Sequence, residues 1–94
     1  MLAINSLSLP LGKLLATPGA LSVLEKNSVR LFDLIKRHQA GDWGDIPPDD
    51  WTANDQAVQQ GGRILSAYLT SGGRFWVITE ADRSATTVLL PEEY

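Results

Sequence analysis

Apolar and polar positions divide the chain into a helical first half and a β-rich second half. Leu11-Gly12-Lys13-Leu14-Leu15-Ala16 reads as a short strand. Thr17-Pro18-Gly19-Ala20 predicts a helix start, because a threonine oxygen accepts from first-turn amides and proline at the first helical position loses nothing by lacking its N–H. That helix runs through Leu21, Val23, Leu24 and Glu25 and breaks at Asn27-Ser28. From Val29 to His38 the helical period is strongest. Val29, Leu31, Phe32, Leu34 and Ile35 form a wide apolar stripe, with Arg30, Asp33, Lys36 and Arg37 on the other side. Asp33 and Arg37 stand four apart, in the order that favours an ion pair. Arg37 and His38 suit the negative end of the helix dipole, and Gly41 occupies the place of a left-handed C′ residue.

Asp42-Trp43-Gly44-Asp45 then turns the chain, and Ile46-Pro47-Pro48 keeps it extended. Pro48-Asp49-Asp50-Trp51 predicts a third helix, polar over most of its surface, ending at Gly61-Gly62. Period-2 patterning follows. Arg63–Thr70, Arg74–Glu80 and Ala85–Leu90 read as strands, joined by turns at Ser71-Gly72-Gly73 and Ala81-Asp82-Arg83-Ser84. The expected fold is α+β: a two-layer domain in which an antiparallel β-meander of about four strands packs against two to three helices. Residues 11–94 form the domain and residues 1–10 a disordered or strand-like extension. Whether the open edge of the meander pairs with another chain is left open by the pattern.

Composition narrows the chemistry. Ninety-four residues with 44% hydrophobic and 20% charged side chains suit one globular domain. There is no cysteine, which removes disulfides, thiolate catalysis and cysteine-ligated metals and suits a reducing cytoplasm. Nothing approaches the ~20 apolar residues of a membrane-spanning helix. The net charge of −3 is uneven. Asp42, Asp45, Asp49, Asp50 and Asp55 lie in a stretch without Lys or Arg; the remaining six acidic and eight basic groups leave the rest of the chain at +2. Arg30, Lys36, Arg37, Arg63 and Arg74 are too weak a basic surface to make nucleic acid the expected partner.

The densest chemistry is Arg37-His38-Gln39-Ala40-Gly41-Asp42-Trp43-Gly44-Asp45, which holds the only histidine. His38 with Asp42 and Asp45 could act as an acid/base or metal cluster, yet one imidazole without a calcium-loop spacing is a poor ligand set, and no metal or other cofactor is expected. The other reading of His38 is a helix-end residue beside Leu34 and Ile35. Glu80, Asp82 and Arg83 share a hairpin tip. There the acids could divide acid and base roles, or Asp82 could hold the turn while Arg83 pairs with Glu80, Asp42 or Asp45. Ser66 and Ser84 lack a nucleophile-elbow context. Trp43 and Trp51 flank the acidic loop, either as core anchors or as an exposed aromatic patch. The tail Glu92-Glu93-Tyr94 reads as a frayed terminus by default, with a short recognition tag as the other reading.

Four blocks carry a resemblance. They are Ala16-Thr17-Pro18-Gly19-Ala20-Leu21; Arg37-His38 to Gly41-Asp42-Trp43-Gly44-Asp45; Ile64-Leu65-Ser66-Ala67-Tyr68; and Ile78-Thr79-Glu80-Ala81-Asp82-Arg83-Ser84 to Leu89-Leu90-Pro91-Glu92-Glu93-Tyr94. Over about residues 11–94 the chain resembles a family of short bacterial proteins from plasmids, integrated elements and phages, often labelled as related to type I restriction–modification. The resemblance implies a genomic neighbourhood and supplies no catalytic residues. A methyltransferase needs a larger α/β domain and a Gly-rich cofactor loop that is absent here. The first ten residues would extend beyond the family's usual start.

The expected function is therefore a small accessory or interaction protein of a mobile element, linked to defence or anti-defence systems. It would bind a partner protein through Asp42, Trp43, Asp45, Asp49, Asp50 and Trp51. The alternative is a small metal-dependent hydrolase or nuclease using His38, Asp42, Asp45, Glu80 and Asp82.

Overall fold

The structure, a computed structural model, describes residues 9–94. Strand β1 (Lys13–Ala16) leads into helix α1 (Pro18–Lys26) through the expected cap: the Thr17 hydroxyl oxygen accepts from the Ala20 amide at 3.1 Å, and Pro18 is the first helical residue. Ser28, in the left-handed region at φ 54°, ends that segment and sends the chain into α2 (Leu31–Gln39). α2 starts two residues later than the apolar pattern predicts, because Asn27 to Arg30 form this connection.

The inward face of α2 is Leu31, Leu34, Ile35 and His38, the i, i+3, i+4, i+7 set. Phe32 is not part of the stripe: one residue past Leu31 it turns away from the sheet and is 62% exposed. Gly41, at φ 86°, closes the helix as the spacing predicts. The Gly41 amide donates to His38 O at 3.1 Å and the Asp42 amide to Arg37 O at 2.9 Å, the two bonds of a Schellman end. Arg37 bridges to Asp42 at 2.6 Å rather than to Asp33, because this reversal brings the Asp42 carboxylate back over its guanidinium.

Helix α3 (Pro48–Gln60) follows, then the meander β2 (Ile64–Thr70), β3 (Gly73–Thr79) and β4 (Ala85–Leu89). The sheet order is β1-β4-β3-β2. The three later strands are antiparallel, as the short turns require, whereas β1 joins β4 in parallel, with Leu14 beside Thr86 and Ala16 beside Val88. The sheet is thus mixed, and the domain is α+β with its helices on one face.

Two apolar clusters fill the layer between. Ala20 and Leu24 of α1 and Leu34 and Ile35 of α2 pack on Tyr68, Phe75, Val77 and Val88. Beside them, Leu9, Trp43 and Ile64 form a second cluster with Trp51, Ala57 and Val58 of α3. The extension expected over residues 1–10 lies mostly outside the described residues. Leu9 itself is core, 1% exposed, and its amide donates to Gln39 O at 3.3 Å. The tail is also tied down. Glu93 accepts from the Thr17 hydroxyl at 2.6 Å, and Tyr94 meets Trp76 edge-on, with ring centroids 5.5 Å apart.

The outer edge of β2 is sealed by the segment between α2 and β2. Residues 65, 67 and 69 turn their amides and carbonyls away from β3. Ala67 donates to Trp43 O at 3.1 Å and accepts from the Asp45 amide at 2.6 Å. The Asn54 side chain donates to Leu65 O at 2.8 Å and accepts from its amide at 3.4 Å, while Asp45 Oδ2 accepts from the Leu69 amide at 3.0 Å. Backbone contact this close requires a glycine at 44: its φ is +76°, and a Cβ would collide with the Ala67 carbonyl and the Tyr68 ring. Gly44→Ala is expected to destabilise the domain by about 3 kcal/mol, from left-handed strain plus the displaced edge bonds, measured as a lowered urea midpoint at unchanged m.

Candidate functional site

The residue with the most chemical potential lies in the middle of the core. His38 is 0% exposed. Its position on the inward stripe of α2 places the imidazole between two hydroxyls, on β2 and β3, and a third on β4 continues the chain. Nδ1 is 2.6 Å from Ser66 Oγ of β2, and Nε2 is 2.8 Å from Thr79 Oγ1 of β3. Thr79 continues to Thr86 Oγ1 of β4 at 2.7 Å, and Thr86 donates to Leu11 O at 2.8 Å. Strand register sets this geometry, since Thr79 stands directly opposite Thr86.

The proton positions follow from the end of the chain. A carbonyl oxygen only accepts, so Thr86 donates to Leu11 and must accept from Thr79. Thr79 in turn has no proton left for the imidazole and accepts from Nε2–H. Nδ1 is then the unprotonated nitrogen, and Ser66 donates to it. His38 is therefore the neutral Nε2–H tautomer, with every member of the chain satisfied. Trp43 stands edge-on to the ring at 5.5 Å between centroids. Among the described residues no carboxylate bonds to the imidazole, and burial pushes His38 down to about 4.

A serine donating to a histidine is the start of a nucleophilic pair, but here both are fully buried. The group beyond the imidazole is a threonine rather than a carboxylate. No substrate carbonyl can reach Ser66 Oγ. The arrangement is a polar lock that joins α2 to β2, β3 and β4. Sequence patterning reads the serine and threonines as strand residues only. The available signal is their parity: Ser66 alternates with Ile64 and Tyr68, Thr79 with Phe75 and Val77, and Thr86 with Val88, all facing the helices.

The other candidates are dispersed. Asp42 is bound to Arg37, whose guanidinium holds its carboxyl below the usual carboxylate range. The same guanidinium lies 4.4 Å from the centre of the Tyr68 ring, and the Tyr68 hydroxyl donates to Asp42 O at 2.6 Å. Burial pushes that phenol up to about 12. Asp45 belongs to the β2 edge. Trp43 is fully buried, with its indole N–H donating to Asp55 Oδ1 at 2.9 Å, so it cannot contribute to an exposed aromatic patch. Trp51 is half-buried against the second cluster.

At the far hairpin, Arg83 does not reach Asp42 or Asp45. Those acids flank the Ala67–Leu69 end of β2, whereas Arg83 stands beside its start. It donates to Gly62 O at 2.6 Å, Ala57 O at 2.7 Å and Glu80 O at 3.2 Å, tying the end of α3 to the β3–β4 turn. Its backbone lies in the left-handed region, at φ 62°. Glu80 pairs with Arg63 at 3.7 Å, and Asp82 accepts from the Ser84 amide at 2.9 Å as a turn residue. Glu80, Ala81, Asp82 and Ser84 line a shallow open depression that His38 does not enter. Among the described residues no group of three His, Asp or Glu side chains is placed to hold a metal ion.

Comparison of the chain with known protein families, with curated proteins and with solved structures finds no match.

The lock generates a pH dependence. The unfolded imidazole titrates near about 6.5, so below that pH the unfolded chain takes up a proton that the folded chain refuses until about 4. Its contribution is complete above about 6.5 and is lost as pH falls through this window, by about 3 kcal/mol in all. Urea unfolding across the window is expected to show that slope in the native chain. In His38→Gln, which stays neutral, the slope flattens while stability at neutral pH falls by about 2 kcal/mol from imperfect pairing of the hydroxyls.

Proposed function

We propose that this protein is a non-enzymatic interaction module that binds a basic segment of a partner protein through the amino-terminal end of α3. The observation that carries this reading is the different fate of the acids. Asp42, Asp45 and Asp55 each accept an internal hydrogen bond, whereas Asp49 and Asp50 are exposed and make no side-chain hydrogen bond or ion pair among the described residues. Their charges face solvent next to the half-buried Trp51, on a helix with no basic residue in its last turn. Such a patch complements lysine or arginine side chains and speeds encounter with them. The four-block resemblance supports a setting among mobile-element accessory proteins with defence or anti-defence roles.

The metal-dependent hydrolase alternative requires His38, Asp42, Asp45, Glu80 and Asp82 to converge. The fold places the imidazole inside the core and the hairpin acids beside the start of β2. Addition of Mg²⁺, Mn²⁺ or Zn²⁺ is expected to leave both tryptophan emission and Tm unchanged. A saturable shift with any of them would revive the alternative.

Affinity capture from a bacterial lysate, compared between the native chain and Asp49→Lys/Asp50→Lys, tests the binding reading. Asp45 is left intact because it holds the β2 edge. The charge-reversed protein is expected to keep its circular dichroism, lose about 1 kcal/mol of stability at the helix dipole and release the captured protein at least tenfold more readily. Equal capture by both would reject this surface.

A further inference from the structure

The two edges of the sheet are treated differently. The β2 edge is closed by Trp43, Asp45 and Asn54. On the β1 side, the odd residues face β4: Lys13 N donates to Ser84 O and Thr17 N to Val88 O, both at 3.0 Å. The amides and carbonyls of Leu14 and Ala16 therefore point outward, and they have no partner among the described residues. Leu14, on the helix-side face, and Leu15, on the opposite face, are each 45% exposed, and Leu21 on the following helix is 48% exposed. An unprotected edge flanked by leucines is a template for another strand.

We propose that the β1 edge is a homodimer interface, in which β1 pairs antiparallel with β1 of a second copy to give a continuous eight-stranded sheet. The register follows from the outward groups. Only a two-fold axis at Leu15 sets Leu14 opposite Ala16 of the other copy and uses all four outward amides and carbonyls of each strand. An axis at Leu14 would instead ask Gly12, at φ 65°, to extend the ladder. An axis at Ala16 would need an amide from Pro18, which has none.

Charge supports the same register. It places Lys13 opposite Thr17 of the second copy, and Thr17 holds the Glu93 carboxylate at 2.6 Å. Neither Lys13 nor Glu93 has an ion-pair partner among the described residues. The two-fold therefore sets a lysine of each copy beside a carboxylate of the other, twice. It also stacks Leu15 on Leu15 across the axis and covers Leu14 with Ala16.

Sedimentation of the full chain over a concentration series, with amide hydrogen exchange on the same samples, tests the interface. The native chain is expected to dimerise reversibly, with exchange at Leu14 and Ala16 slowing as dimer forms. Leu15→Lys sets two like charges on the axis. Leu14→Pro removes an N–H that the β1–β4 ladder does not use. Both are expected to be monomeric throughout. Lys13→Glu, a surface change that leaves the fold intact, is expected to weaken the dimer about tenfold by turning two attractions into repulsions. A native chain that stays monomeric, a dimer indifferent to Lys13→Glu and Leu15→Lys, or a dimer in which Leu14 and Ala16 exchange freely would each overturn the proposal.

Discussion

The constraint on which the structure depends is the need to satisfy the outward backbone groups of β2. A strand edge left open in a domain this small would invite association and fray the sheet. The chain meets this need with residues 42–54. The Schellman end of α2 reverses the backbone at Gly41, Gly44 lets it approach Ala67 without a Cβ, and Asn54 and Asp45 supply partners for the Leu65 amide and carbonyl and for the Leu69 amide. The same path buries Trp43 beside His38. Residues that look like an active site when read along the chain are close together because a backbone must run there as a short substitute strand.

The polar lock at His38 depends on that path and reinforces it. A hydrophobic core of this size would tolerate small shifts of a helix over a sheet. A one-way chain from Ser66 through His38, Thr79 and Thr86 to Leu11 does not, since moving α2 by one residue would leave the buried imidazole and the Ser66 hydroxyl without these partners and take one from Thr79. The penalty for each unsatisfied group is about 1–3 kcal/mol, comparable with a sizeable part of the stability of such a domain. The lock thus fixes register, joining the inward stripe of α2 to three strands at once. Whether it adds net stability over an apolar set of the same volume is a separate matter, because buried polar networks contribute mainly through the cost of breaking them.

Local signals in the sequence were sufficient for the elements. Thr17-Pro18, Gly41, Pro47-Pro48 and the glycine turns mark ends whose chemistry is contained within a few residues, and the helices and strands lie close to where those signals place them. The parallel pairing of β1 with β4 was not legible, since it joins positions about seventy residues apart and no local pattern encodes it. Phe32 and His38 show the other limit. Hydrophobicity alone assigns the phenylalanine inward and the histidine to a helix end. The spacing 31, 34, 35, 38 assigns them the other way, and the fold follows the spacing. The roles of Arg37 and Arg83 were hidden because charge invites pairing with carboxylates in sequence. In three dimensions one guanidinium reaches a carboxylate five residues on, and the other collects carbonyls at a helix end.

Three exposed acids could have served equally well along the Asp42–Asp55 stretch if charge alone had been the selected property. Instead Asp42, Asp45 and Asp55 each make a bond that a neutral asparagine would largely reproduce, to an arginine, an amide and an indole. Asp49 and Asp50 make none among the described residues, and they sit where the helix dipole already favours anions, which gives them a structural benefit of only tenths of a kcal/mol each. Hydrogen bonding therefore separates the acids of the stretch into a framework set and a pair without internal partners among the described residues. The two surfaces proposed for recognition, the start of α3 and the β1 edge, lie on opposite borders of the sheet, so that a dimer formed at one would leave the other free in both copies.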